Sequence, residues 1–120
     1  MKVAITSQGE DLNSAVDPRF GRAKCFIVVD TETGDFAAHD NSQNLNAVQG
    51  AGIQAGRNVI DLDVEAVITG NVGPKAFTTL QAGGVEIYIG ATGSVNDAIE
   101  QFKAGKLELV SKATVEGHWI

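Results

Sequence analysis

Apolar residues gather in short runs separated by polar, glycine-bearing stretches. Such runs mark buried strands in an α/β chain. Lys2-Val3-Ala4-Ile5-Thr6 is the first, at the start of the chain. Lys24 to Asp30 (KCFIVVD) is a stronger one. Thr31 to Asp35 then reads as a hairpin connection to a weaker strand, Phe36 to Asp40, nearer the sheet edge. Val64-Glu65-Ala66-Val67-Ile68 and Val85-Glu86-Ile87-Tyr88-Ile89 supply two more.

Between the strands the apolar period lengthens. From about Ala47 to Leu62, apolar residues Val48, Ala51, Ala55, Val59 and Leu62 recur at helical spacing. Gly50, Gly52 and Gly56 fall inside that span, each at a cost of about 1 kcal/mol against alanine. Either the helix packs closely on its neighbours, or it begins near Gly50-Ala51-Gly52, where small residues leave room for a ligand and Gln49 offers a polar group at the rim. Pro74 opens a second helix, Lys75 to Ala82, with Phe77 and Leu80 on its core face and Gly83-Gly84 after it. Ser94, with Asp97 three residues on, caps a third helix whose apolar face is Val95, Ala98, Ile99 and Phe102. The tail, Lys106 to Ile120, is assigned no element, and Trp119 is expected to fold back on the core or else to mark a contact surface.

Two successive βα units stand out in this pattern. After Ile68 comes Thr69-Gly70-Asn71-Val72-Gly73 before Pro74 and Lys75; after Ile89 comes Gly90-Ala91-Thr92-Gly93 before Ser94. Successive βα units place both loops at the carboxyl edge of a parallel sheet. The first N–H groups of a helix lack intrahelical partners, and the dipole there is positive. Glycines let a ligand approach the backbone. Taken alone, the first loop is an ordinary β-to-α turn, neither a Walker loop nor a dinucleotide fingerprint. Its repetition gives it weight as a candidate anion cradle.

Asp17-Pro18-Arg19-Phe20-Gly21-Arg22 is the other distinctive segment. Pro18 and Gly21 mark a turn, Phe20 anchors it, and Arg19 and Arg22 place planar donor forks beside it. A solvated loop, with Asp17 neutralising one arginine, explains the same residues equally well.

Composition narrows the reading. At 120 residues one domain, 1–120, is expected, and the apolar share of 43 % suits a globular chain. No stretch reaches membrane-spanning length and no signal sequence opens the chain, so a cytoplasmic protein without membrane insertion is expected. The net charge of −6 argues against general nucleic-acid binding. A single cysteine, Cys25, excludes an internal disulfide and a multi-thiolate site; His39 and His118 lie far apart and set no metal-ligand spacing. No nucleophile with a placed base and no convincing carboxylate set is present, so a binder rather than an enzyme is expected. The ligand would be an anion: a phosphate or nucleotide, or a preformed metal–sulfur species that brings its own sulfide.

Five segments in order resemble the dinitrogenase iron–molybdenum cofactor biosynthesis family: Lys2 to Ile5, Asp17 to Arg22, the surroundings of Gly50-Ala51-Gly52, Thr69 to Phe77, and Gly90 to Val95. The likeness covers nearly the whole chain. It is strongest to a molybdenum–copper cluster branch from sulfate-reducing bacteria, through Gln8-Gly9, Val16 to Arg22, Gln49 to Gln54, Gly70 to Phe77 and Val115 to Trp119. The resemblance implies a three-layer α/β/α, ribonuclease H-like fold with a mixed five-stranded sheet. It implies a non-covalently held molybdenum–copper sulfide cluster, with iron–molybdenum cofactor or its precursor as the alternative cargo, and MinD-type P-loop ATPases as partners. Some relatives carry a histidine where this chain has Gln49-Gly50, so no direct protein–metal ligation is expected. The pocket would comprise Arg19, Phe20, Gly21, Arg22, Gln49, Gly50, Gly52, Thr69, Gly70, Asn71, Val72, Gly73, Lys75, Ala91, Thr92, Gly93 and Ser94. The rival expectation is a regulatory domain that binds a nucleotide, a phosphorylated metabolite or only a partner ATPase.

Overall fold

A computed structural model describes residues 1–42 and 50–110 of the chain. One mixed sheet runs through it, with strands β1 (Lys2–Ser7), β2 (Cys25–Asp30), β3 (Phe36–Asp40), β4 (Ala66–Ile68), β5 (Glu86–Ile89) and β6 (Glu108–Leu109). Among the described residues three α-helices accompany it, α1 (Ala51–Asp61), α2 (Pro74–Ala82) and α3 (Val95–Lys103). The spatial order is β3-β2-β1-β4-β5-β6. β1, β4 and β5 are parallel neighbours, while β2 and β6 run against them.

Among the described residues the sheet therefore has six strands, where the resemblance implies five. β6 is only two residues long, and Leu109 and Glu108 pair with Tyr88 and Ile89. A two-residue strand is stabilised by the ladder it joins and leaves no periodic signal of its own. The edge position expected for Phe36 to Asp40 is found, and all five residues of β3 are exposed.

Side-chain alternation across the strands creates two cores. On one face Ala4, Phe26, Val67 and Ile87 meet Ala55 and Val59 of α1 and Ala76 and Leu80 of α2. On the other, Val3, Ile5, Ile27 and Ile68 meet Val95, Ala98 and Ile99 of α3. Helices thus cover both faces. Each fully buried Leu, Ile, Val or Phe side chain contributes about 1.5–3 kcal/mol, so the central strands are the most firmly held part of the fold.

α1 begins at Ala51, later than the helical spacing predicts. Gly50 is its N-cap residue with φ of +79°, a left-handed conformation that glycine adopts without penalty. Gly56 serves close packing: a Cβ there would stand 2.9 Å from the Thr79 methyl group on α2. Ala47 and Val48, predicted as the first turn of this helix, lie outside the described residues, as do Trp119 and His118. Among the described residues no helix is long and apolar enough to cross a membrane.

Candidate functional site

Strand order reverses between β1 and β4, and the carboxyl ends of β1, β4 and β5 share one edge of the sheet. That is where open α/β sheets form crevices. The Asp17–Arg22 segment closes over this point. The Asp17 N–H donates to the Thr6 carbonyl at 3.0 Å, continuing β1, and Arg19 bridges Asn71 in parallel. The Asn71 N–H donates to the Pro18 carbonyl at 2.9 Å, and the Phe20 N–H donates to the Asn71 carbonyl at 3.4 Å.

Close backbone approach enforces this docking. A Cβ on Gly70 would lie 2.7 Å from the Pro18 Cα and 2.8 Å from its carbonyl oxygen. No side chain fits there, which gives the first glycine of the β4–α2 loop a packing reason. Below the turn, Phe20–Arg22 forms a short 3-10 turn, and Phe20 is fully buried with its ring 5.6 Å from that of Phe26. Phe20 therefore supports the turn from the core and is not an exposed wall.

A buried hydroxyl chain locks the floor. The Thr6 hydroxyl donates to the Asp17 carbonyl at 2.7 Å and stands 2.9 Å from the Thr69 hydroxyl, whose hydrogen it accepts. Both threonines are fully buried. The Asp17 carboxylate is also nearly buried, and its Oδ1 accepts the Arg19 N–H at 2.9 Å. Burial pushes the Asp17 carboxyl above the usual carboxylate range, against the opposing pull of the Arg19 N–H and guanidinium. Arg19 Nε lies 3.8 Å from Asp17 Oδ1, with half of the arginine side chain exposed.

The N-termini of α1 and α2 open beside this turn. Neither N-cap, Gly50 or Gly73, contributes a side-chain hydrogen bond. Gly21 rests against Gly52 at the start of α1. At the start of α2, Pro74 occupies the first turn and Lys75 is exposed. A shallow cavity of about 310 Å³ lies here, lined by Ile53, Pro74, Lys75, Thr78 and Thr79. A parallel bridge joins Arg19 to Asn71 and Gly21 packs on Gly52, with Arg22, Gly50, Gly73 and Lys75 flanking these contacts along the chain. Arg19, Gly50 and Lys75 are exposed, Arg22 and Asn71 half-buried, and Gly21, Gly52, Gly73, Phe20, Thr69, Gly70 and Val72 buried. Gln49 lies outside the described residues.

The second glycine loop is built differently. The Val95 and Asn96 N–H groups donate to the carbonyls of Ser14 and Leu12, both at 2.9 Å. The Asp97 N–H donates to Ser94 Oγ and the Ser94 N–H to Asp97 Oδ2, closing a capping box. The Thr92 N–H donates to Gln101 Oε1. The Gly93 carbonyl accepts from Val16. Ala91 is buried against α3. Ala91, Thr92, Gly93 and Ser94 adjoin the crevice, but their helix terminus is closed by the chain itself.

Among the described residues no three His, Cys, Asp or Glu side chains converge to hold a metal ion. Cys25 is buried, its thiol donates to the Gly9 carbonyl at 2.8 Å, and burial pushes its pKa up. Its burial is that of a small core residue.

The family model for dinitrogenase iron–molybdenum cofactor proteins matches residues 1–105. The apo form of the orange protein of Desulfovibrio gigas superimposes with a TM-score of 0.91 at 35 % identity, over 95 % of this chain and 96 % of that one. A Thermotoga protein of the DUF35 family, described as a candidate NifB protein, superimposes with a TM-score of 0.83 at 40 % identity, over 97 % and 98 %. An uncharacterized protein of Methanocaldococcus jannaschii is 31 % identical over 110 residues, 90 % of each chain. By the family match and these likenesses together, the chain belongs to the dinitrogenase iron–molybdenum cofactor family.

Proposed function

We propose that this protein binds and carries a preformed anionic metal–sulfur cluster, of molybdenum–copper sulfide type, on a ribonuclease H-like frame. Iron–molybdenum cofactor or a precursor is the alternative cargo. The protein holds the cluster without covalent ligation and is not a catalyst. It works in the cytoplasm, with MinD-type P-loop ATPases as partners.

The observation that carries this reading is that the arginine turn at the strand-order reversal packs on the start of α1 through Gly21 and bridges the loop that opens α2, each helix beginning after a glycine N-cap. Helix starts offer N–H donors and a positive dipole, and guanidinium is weakly hydrated and suits large soft anions. The donor set fits a cluster that arrives with its own sulfide: cations and backbone N–H groups are present, while thiolate and imidazole sets are not among the described residues. Within this reading Arg19, Arg22 and Lys75 neutralise the cargo, Gly50 and Gly73 turn the starts of α1 and α2 toward it, and Gly52 and Asn71, whose backbone is taken by Gly21, Pro18 and Phe20, seat the arginine turn. Thr69, Gly70, Val72, Phe20 and Gly21 hold that mouth in shape.

The test is anaerobic addition of tetrathiomolybdate and copper to the apoprotein, followed by desalting, an absorption spectrum and metal analysis. Co-eluting molybdenum and copper in fixed ratio, with new visible bands, is the expected result. A folded protein that retains no metal would reject the cluster reading and favour a phosphorylated ligand or a partner ATPase.

A further inference from the structure

Arg19 already has an anion of its own. The Asp17 side chain is 5 % exposed, and its Oδ1 stands 2.9 Å from the Arg19 nitrogen and 3.8 Å from Arg19 Nε. The carboxylate is not what ties this turn to the sheet. The Asp17 backbone does that, with its N–H on the Thr6 carbonyl and its carbonyl on the Thr6 hydroxyl. Arg19 is the charged neighbour that acts on Asp17. The groups that β1, the β4–α2 loop and the β5–α3 loop bring to the same turn, Thr6, Thr69, Asn71 and Gly93, are neutral. A buried carboxylate is poorly screened, so its charge reaches whatever binds on the far side of the guanidinium.

We infer that Asp17 is a resident counter-ion that lowers the affinity of the crevice for its anion and so lets a carried anion leave. This rests on the anion-binding reading above. A ligand across the guanidinium would stand roughly 6 Å from the carboxylate, where each unit of ligand charge is opposed by a factor of about three even at the dielectric of water. The penalty is therefore proportional, on a logarithmic scale, to the charge of the ligand. A purely structural role for Asp17 has no such dependence.

Two tetrahedral probes separate the cases: perrhenate, a monoanion, and tetrathiomolybdate, a dianion. Their affinities are measured by equilibrium dialysis at low ionic strength for the wild type and for Asp17→Asn, which keeps an oxygen to accept the Arg19 N–H. The variant is expected to bind perrhenate about threefold and tetrathiomolybdate about tenfold more tightly, with both gains shrinking as salt is added. Should the Asn variant fail to fold, Asp17→Ser presents a neutral acceptor at the same position. A loss, or a gain that does not grow with ligand charge, would overturn this inference and leave the anion site standing. Binding of neither probe by wild type or variant would overturn both.

Discussion

Gly21 lies so close to Gly52 that a Cβ on Gly21 would stand 3.0 Å from the Gly52 nitrogen and 3.1 Å from its Cα. The contact joins the arginine turn to the first turn of α1, backbone against backbone. No flexible side chain is present to yield. Gly21→Ala should therefore lower stability by about 1–2 kcal/mol and displace the turn by a few tenths of an ångström. Urea unfolding and metal retention after cluster loading check this. An alanine variant with unchanged midpoint and full retention would show that the two segments are not coupled.

The Gly70–Pro18 contact is tighter still, with the nearest approach at 2.7 Å. Gly70→Ala should cost more, about 2–3 kcal/mol, because the obstructing atoms belong to the Pro18 backbone. It should also abolish retention, since Pro18 and Asn71 share the hydrogen bond that seats Arg19. A variant that is destabilised yet retains cargo normally would remove the β4–α2 loop from the site.

Much of this arrangement is readable in the chain before folding. The apolar runs locate β1 to β5, and the glycine, proline and serine punctuation locates the starts of α2 and α3. What the pattern does not carry is pairing. Nothing in Leu107 to Val110 announces a ladder with β5, because the signal lies in Tyr88 and Ile89 as much as in Glu108 and Leu109. Phe20, beside two arginines, looks like a pocket wall, yet it is drawn into the core by Phe26, a partner from another element. The two glycine loops look alike in sequence, but Leu12 and Ser14 close the second one from a distant loop. Asp17 reads as a solvated counter-charge. Its burial follows from Thr6 and Thr69, which only the sheet brings together.

Arg19→Ala separates binding from stability. Half of the side chain is exposed and its ion pair with Asp17 is long, so the change should cost no more than about 1 kcal/mol of stability. Retention of cluster metal through desalting should fall sharply, because the variant keeps the Asp17 charge and loses the cation facing the cargo. Arg19→Lys should restore part of the retention, having charge without the planar fork. Equal retention in all three proteins would sink the assignment of Arg19 to the anion.

Ser94→Ala tests the closed loop in the opposite sense. It removes one half of the capping box on α3 and should cost about 1 kcal/mol. Because the Val95 and Asn96 N–H groups are already occupied by Ser14 and Leu12, retention should not change once the variant is folded. Loss of cargo out of proportion to the stability change would place the β5–α3 loop in contact with the anion.

Asp17 also leaves a mark on the pH dependence of folding. Burial raises its carboxyl pKa above the ordinary carboxylate value despite the opposing pull of Arg19. The folded state then holds this proton more firmly than the unfolded chain does. Stability from this group is fully present below the unfolded pKa and is lost as pH rises through the folded one. Asn at the same position does not titrate. The urea midpoint of Asp17→Asn, measured against wild type, should therefore gain as pH rises from about 3 toward about 7, and level off above the folded pKa. The same substitution would then raise anion affinity while its stability relative to wild type grows toward neutral pH, as expected for a carboxylate that serves release rather than the fold. A difference that stays flat across this range, or opens toward acid, would mean that the Arg19 contacts outweigh burial. The carboxylate would then be a stabilising partner of the turn.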